Sequence, residues 1–403
     1  MSATAVPLGS LAAASAAPPA ARVRLDSVDL LRGLVMVIMA LDHTRDYFTN
    51  ARFNPTDLTQ ASAALFLTRW ITHFCAPVFV FLAGTGAFLS FSRGKSRSQL
   101  ARFLVSRGLW LVVLEFTLVR WAWLFSLDYA QYLFVQVIWA LGVSMIVLAA
   151  LIYLPRPAIT AVGVAMIAGH NLLDGVRPES LGAWGPLWTV LHIQAPIALP
   201  GGTMLLIGYP LIPWIGVMAA GYGFGSLLLR PPVERRRTLL LLAAGLTLGF
   251  VALRATNGYG DSSPWSAQAS PVFTLLSFLN TTKYPPSLLF LLMTLGPAIA
   301  AIAFLDGASG PVSRFLVVFG RVPLFFYVLH IYLIHLLAVT VAVATGFGAG
   351  RILPAYLGVP EGWGYGLAGV YLVWAAVVLS LYPLCRWFAG VKARRRDPWL
   401  SYL

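Results

Sequence analysis

The sequence predicts an all-α, polytopic integral membrane protein with about ten transmembrane helices and both termini in the cytoplasm. Three observations carry that expectation. Only 10% of the 403 residues are charged and 59% are hydrophobic, whereas a soluble domain carries about 25% charged residues. Apolar runs of about 20 residues, each long enough to cross a bilayer, recur along the whole chain. Basic residues gather in short loops between those runs, the pattern that fixes topology.

The expected spans lie near 28–48, 66–91, 106–124, 131–153, 157–173, 202–228, 238–254, 286–305, 315–343 and 366–388. All are read as helices, because lipid offers no partner to unpaired backbone groups. Arg93, Lys95, Arg97, Arg102 and Arg107 fall between the second and third spans. Arg230, Arg235, Arg236 and Arg237 fall between the sixth and seventh, and Lys392, Arg394, Arg395 and Arg396 follow the tenth. With this count all three clusters share the cytoplasmic side. Residues 1–23, rich in Ala, Ser and Pro, are expected to form a disordered cytoplasmic tail rather than a cleaved signal peptide. Residues 24–390 form one membrane domain, and 391–403 a basic cytoplasmic tail. The opposite loops, 174–201, 255–285 and 344–365, are poorer in Lys and Arg and carry Trp184, Trp188, Trp265 and Trp363. Those rings suit either a sugar platform or an interfacial aromatic belt.

The net charge of +14 does not point to nucleic acid, because the basic residues are spread over inter-span loops. Membrane lipids and a phosphorylated donor are the partners that such loops suit. Cys75 and Cys385 fall toward opposite faces, so no disulfide is expected. Neither has metal-ligand spacing to another Cys or His, and no metal is expected. The chain has no GxSxG elbow, HExxH pair or Walker A loop, so hydrolase, zinc-protease and nucleotide-driven pump readings lack support. The GxxxG spacing at Gly221 and Gly225 reads as a close helix contact.

Ionisable groups inside apolar spans are costly and mark pathways or sites. The first span holds Arg32 and His43, eleven residues and roughly 16 Å apart along a helix. Arg32 can pair with Asp29 across one turn and offers bidentate donors to a phosphate. His43 is flanked by Asp42, and Asp46 lies one turn on, where a carboxylate can orient the imidazole. His330 and His335 are five apart in the ninth span, about 500° of rotation, so they do not share a face. Glu115, Arg120 and Arg321 are read as structural pairs with other helices. Asn171, Asp174, Trp188 and Lys283 border the outer face as acceptor-binding candidates or helix caps, with His73, His170 and His192 as lesser candidates.

The residues also resemble a known family. Arg24-Leu-Asp26-Ser27-Val-Asp29-Leu-Leu-Arg32-Gly33 resembles the opening of the heparan-α-glucosaminide N-acetyltransferase-like membrane family. Pro77-Val-Phe-Val-Phe-Leu-Ala-Gly84, Tyr209-Pro-Leu-Ile-Pro-Trp214-Ile-Gly216 and Gly320-Arg-Val-Pro-Leu-Phe-Phe-Tyr327-Val-Leu-His330 are similar to later segments of it. The closing Trp399-Leu-Ser-Tyr-Leu403 resembles the tail of its bacterial branch. The Arg32-to-His43 spacing is similar to the Arg-ten-residues-His pattern of the membrane acyltransferase-3 family. Carried over, these resemblances imply His43 as catalytic base, Arg32 as a donor-site residue and a further site role for His330. The animal lysosomal branch uses a His in the loop after the first helix, but residues 48–54 contain none. Either His43 takes that place or this branch performs a different reaction.

The resulting expectation is acetyl transfer from cytoplasmic acetyl-CoA to an amine or hydroxyl, of a sugar, on the outer face. Asp29, Arg32, Arg93, Arg102 and Arg107 would serve the donor, and Asp42, His43, Asp46 and His330 the chemistry. The family branch and the Arg- and Ala-rich composition imply a bacterial inner membrane, and a homo-oligomer is compatible with the sequence. The alternatives are a transporter or flippase for a sugar or lipid-linked substrate, and a membrane scaffold tolerant of changes at Arg32 and His43.

Overall fold

The computed structural model describes residues 26–126, 128–354, 358–395 and 397–402. The expected disordered tail, 1–23, lies outside the described residues. Helix α1 (Asp26–Phe48) is followed by α2 (Ala63–Ile71), α3 (Cys75–Ser92), α4 (Arg97–Leu114) and α5 (Arg120–Leu124). Then come β1 (Tyr132–Val135), α6 (Val137–Leu151), α7 (Arg156–Gly169), α8 (Gly185–His192), β2 (Pro196–Ala198) and β3 (Met204–Ile207). The remainder is α9 (Leu211–Phe224), α10 (Pro232–Thr256), α11 (Pro271–Leu279), α12 (Leu288–Leu305), α13 (Pro311–Arg321), α14 (Pro323–Ala344), α15 (Ala349–Ile352) and α16 (Leu367–Arg394).

Helix α1 is the axle of the bundle. It packs against α3, α12, α13, α14 and α16, and it buries Asp29, Asp42 and Arg45 along with its apolar residues. Its contact with α13 is set by glycine: a Cβ at Gly33 would lie 1.9 Å from the Leu316 carbonyl oxygen, and one at Gly320 1.8 Å from that of Asp29. The α3–α9 crossing uses the same device. A Cβ at Gly221 would sit 2.1 Å from the Phe81 carbonyl oxygen, as the GxxxG spacing predicts. By contrast, α10 and α16 turn large apolar side chains outward, among them Leu241, Leu248, Leu372, Leu379 and Trp387. Apolar residues outside and ionisable ones inside is the arrangement lipid demands.

Among the described residues, six helices are long and apolar enough to cross a membrane. They are Ala63–Ser92, Leu211–Leu229, Pro232–Thr256, Leu288–Leu305, Pro323–Ala344 and Leu367–Arg394. A seventh is added if Arg156–Leu173 and Pro178–His192, bent by 118°, count as one broken span. The difference from ten has local causes. Helix α1 has the length but carries Asp26, Asp29, Arg32, Asp42, Arg45 and Asp46. Helix α4 is followed by a π-helical turn, Glu115–Val119, and α6 has only 15 residues. The fifth expected span belongs to the bent pair, and the ninth, although two helices broken at Val322 and restarted by Pro323 at its first turn, still supplies one of the six.

Not every apolar run is a helix. Residues 132–135 and 204–207, read as parts of helical spans, are strands of a three-stranded sheet ordered β1-β3-β2. Tyr132 pairs in parallel register with Met204, and Ala198 pairs antiparallel with Met204 from the other side. Four-residue apolar runs do not carry enough periodicity to separate strand from helix. Here the strands satisfy one another's backbone groups, so the helix is not required.

Candidate active site

A cavity of about 710 Å³ is lined by α1 from Arg32 to Asp46. The fourteen residue steps amount to about 21 Å, so the cavity runs about that far along α1. Its one end is basic, with Arg32, Arg107, Arg321 and Lys392 on the wall. Met36, Met39, Leu82, Leu104, Leu111 and Met145 give it an apolar middle. Asp42, His43, Asp46, Arg69, Gln194 and Lys283 stand around the other end.

The close α1–α13 crossing holds the basic end. Arg32 Nη1 donates to Asp29 Oδ1 at 2.9 Å and to the Gly320 carbonyl at 3.0 Å. Arg321 Nη2 lies 3.6 Å from Asp26 Oδ1. Of the basic residues singled out for the donor, Arg32 and Arg107 face the cavity, whereas Arg93 and Arg102 are exposed away from it. Asp29 is not on the cavity wall and accepts a hydrogen bond from Arg32. Lys392, in the sequence a topology signal, and Arg321, in the sequence a structural charge, both reach this wall through folding of α13 and α16.

At the far end His43 lines the cavity with its side chain 16% exposed. Its Nδ1 is 3.6 Å from Asp46 Oδ2 and makes no hydrogen bond. The ring packs edge-on against Trp123, centroids 4.7 Å apart, and lies 5.2 Å from the ring of His330. His330 stands behind His43, fully buried and off the cavity wall. Its Nδ1 donates to the Phe326 carbonyl at 2.9 Å, which leaves Nε2 of the neutral ring as a bare acceptor with no partner. His335 points elsewhere, stacked on Phe125 with Nδ1 donating to the Ala122 carbonyl at 3.0 Å. The five-residue rotation thus separates the two histidines.

Asp42 is clamped by two arginines. Arg45 Nη2 donates to Asp42 Oδ1 at 2.8 Å, and Arg69 Nη1 donates to Asp42 Oδ2. Arg45 also reaches Asp46 Oδ1 at 2.8 Å, so one guanidinium ties together the carboxylates on either side of His43. Arg69 was not singled out from the sequence. An arginine inside the apolar run Leu65-Phe66-Leu67-Thr68-Arg69-Trp70 was the available signal.

The acceptor candidates divide. Lys283 lines the cavity beside Tyr284. Asn171, Asp174 and Trp188 do not line it; Trp188 Nε1 donates to the Val176 carbonyl, and Asn171 Nδ2 to Asp174 Oδ2. The intramembrane charges of the third expected span have backbone partners. Glu115 Oε2 accepts from Trp139 N at 2.8 Å, capping α6, and Arg120 donates to the carbonyls of Tyr132 and Asp128. Cys75 and Cys385 are free thiols.

A helical bundle with apolar outward faces and a polar, charge-lined interior cavity defines an integral membrane protein with a buried reaction-sized site. Residues 24–256, more than half of the chain, match the family model described as heparan-alpha-glucosaminide N-acetyltransferase, catalytic, and the chain belongs to that family. Membership implies an acetyltransferase, in keeping with the resemblance seen in the motifs. The matched stretch contains Arg32, His43, Arg69 and Arg107, while Lys283 and His330 lie beyond it. No curated protein matches the chain.

Proposed function

We propose that the protein transfers an acetyl group from cytoplasmic acetyl-CoA to an amine or hydroxyl of a sugar presented on the outer face of a bacterial inner membrane. The observation that carries this reading is the single cavity joining Arg32, Arg107, Arg321 and Lys392 to His43 and Asp46. Guanidinium and ammonium groups suit the phosphates of a CoA head. The apolar middle suits its long, thin arm, which would bring the thioester toward His43. Taken as cytoplasmic, in line with the positive-inside pattern, the loop clusters at 93–107, 230–237 and 392–396 give the basic end of the cavity to the donor's side.

His43 then accepts the proton of the attacking amine or hydroxyl as the new bond to the thioester carbonyl carbon forms. The carbon–sulfur bond breaks, and the CoA thiolate takes the proton back from the imidazolium. Asp46 stabilises the charged ring, and Arg45 holds Asp46 in place. His330, with a free Nε2 behind His43, supports the ring and is the second proton acceptor within reach. Lys283, Tyr284 and Gln194 are the side chains that meet the acceptor.

The test is thiol release from acetyl-CoA by the purified protein with a panel of amino sugars. Wild type is expected to release CoA only with an acceptor, and His43→Ala to bind CoA but not turn over. Full turnover by that variant would overturn the mechanism. No release with any sugar, together with sugar uptake into vesicles, would favour the transporter reading.

A further inference from the structure

A second cluster lies apart from the cavity, at the bend between α7 and α8. His170 is the residue that caps α7, Asp174 follows in the turn, and His192 ends α8. One ligand atom from each falls within 4.8 Å of the other two. Both histidines are almost wholly buried, at 2% and 0% exposure. Neither ring nitrogen of His170 has a partner in good hydrogen-bond geometry, the Pro286 carbonyl being the acceptor that lies beside the ring, and Nδ1 of His192 has no partner. Buried polar groups without partners are costly, so His170, packed against the His192–Asp174 pair with its ring centroid 5.4 Å from that of His192, calls for an explanation.

We propose that His170, Asp174 and His192 bind a divalent transition-metal ion, zinc by preference. Two imidazoles and a carboxylate are a ligand set that zinc takes, with a fourth position left for water. Asp174, at 30% side-chain exposure, opens the site toward solvent. His192 Nε2 is 3.1 Å from Asp174 Oδ1, and the ion replaces the proton held between them, which passes to solvent. Part of the supporting shell is in place. Asn171 Nδ2 donates to Asp174 Oδ2 at 2.9 Å, fixing the carboxylate, and Trp188 packs on the His192 ring at 5.0 Å. Such supporting bonds are what orient metal ligands.

The site's place in the fold assigns its task. His192 is two residues before Gln194, and Gln194 lines the main cavity. Asn171 Oδ1 accepts from Leu288 N at 2.9 Å, and His170 lies against Pro286, next to Lys283 and Tyr284 on the cavity wall. The ion therefore braces two cavity-lining segments, 192–194 and 283–288, against the end of α7. This inference does not depend on the acetyl-transfer reading.

The test is metal content and affinity of the purified full-length protein in detergent. After zinc loading and dialysis, wild type is expected to hold about one zinc per chain. Cobalt in its place should give a visible ligand-field spectrum that zinc displaces. Asp174→Asn, whose side chain is partly exposed and nearly isosteric, and His170→Gln should each weaken binding at least tenfold. A chelator should lower the melting temperature of wild type but not of either variant. Wild type that binds neither zinc nor cobalt, or binds both as well as the variants do, overturns the proposal whatever the variants' stability.

Discussion

Asp42→Asn tests whether the arginine clamp holds the His43 end of the cavity. Asp42 is 11% exposed at its side chain and Arg69 is 15%, so the pair belongs to the buried class. The substitution removes the charge that Arg69 Nη1 and Arg45 Nη2 both contact. Arg45 keeps Asp46 at 2.8 Å, but Arg69 is left with Thr72 Oγ1 at 3.4 Å as its neighbouring side-chain acceptor. Stranding one partner of a buried pair costs about 3–5 kcal/mol. The cavity gives Arg69 some access to water, so the lower end, about 3 kcal/mol, is expected. Removing both charges in Asp42→Asn/Arg69→Gln should recover at least ~1 kcal/mol of that loss, because the two sites share one interaction. Unfolding by sodium dodecyl sulfate in mixed micelles, followed by tryptophan fluorescence, reads both quantities. A single variant within about 0.5 kcal/mol of wild type, with a double variant that is merely additive, would refute the clamp.

Three further outcomes are expected. Gly320→Ala places a Cβ 1.8 Å from the Asp29 carbonyl oxygen, so α1 and α13 must separate; overpacking of this kind costs about 1–3 kcal/mol, and CoA binding should weaken as the Arg32–Gly320 bond is lost, by thermal melts and equilibrium binding. Gly86 lines the cavity and a Cβ there meets nothing within 4 Å. Gly86→Phe should therefore leave the melting temperature unchanged while raising the donor KM about tenfold, about 1.4 kcal/mol of lost binding. Arg107→Gln and Arg102→Gln remove the same charge from the same helix, but only Arg107 faces the cavity. Donor affinity should fall in the first and stay within about twofold in the second, since an exposed charge outside the cavity is screened by salt; equal losses would mean that the donor binds the loop surface instead.

Much of this protein was legible in one dimension. The membrane class follows from composition, because lipid admits only chains that satisfy their own backbone and cover themselves with apolar side chains. That α1 carries Arg32, Asp42, His43 and Asp46 to a common wall was legible because such groups are costly inside an apolar run, and their helical spacing fixes their separation. The family was legible in the order of the motifs. What the sequence left open is what depends on contact between distant segments. Arg69 meets Asp42 across 27 residues, and His330 reaches His43 from a helix near the other end of the chain. Only the packed bundle decides that Arg107 faces the cavity and Arg102 does not, because a rotation of helix α4 within its neighbours settles which side chains point inward. The strands at 132–135 and 204–207 needed each other before they could be distinguished from helix. The His170–Asp174–His192 cluster exists only because the chain bends by 118° between α7 and α8 and folds the second histidine back on the first. Periodicity and the cost of charge in lipid are local quantities, written residue by residue; a cavity is a property of several helices at once, and it forms only when they pack.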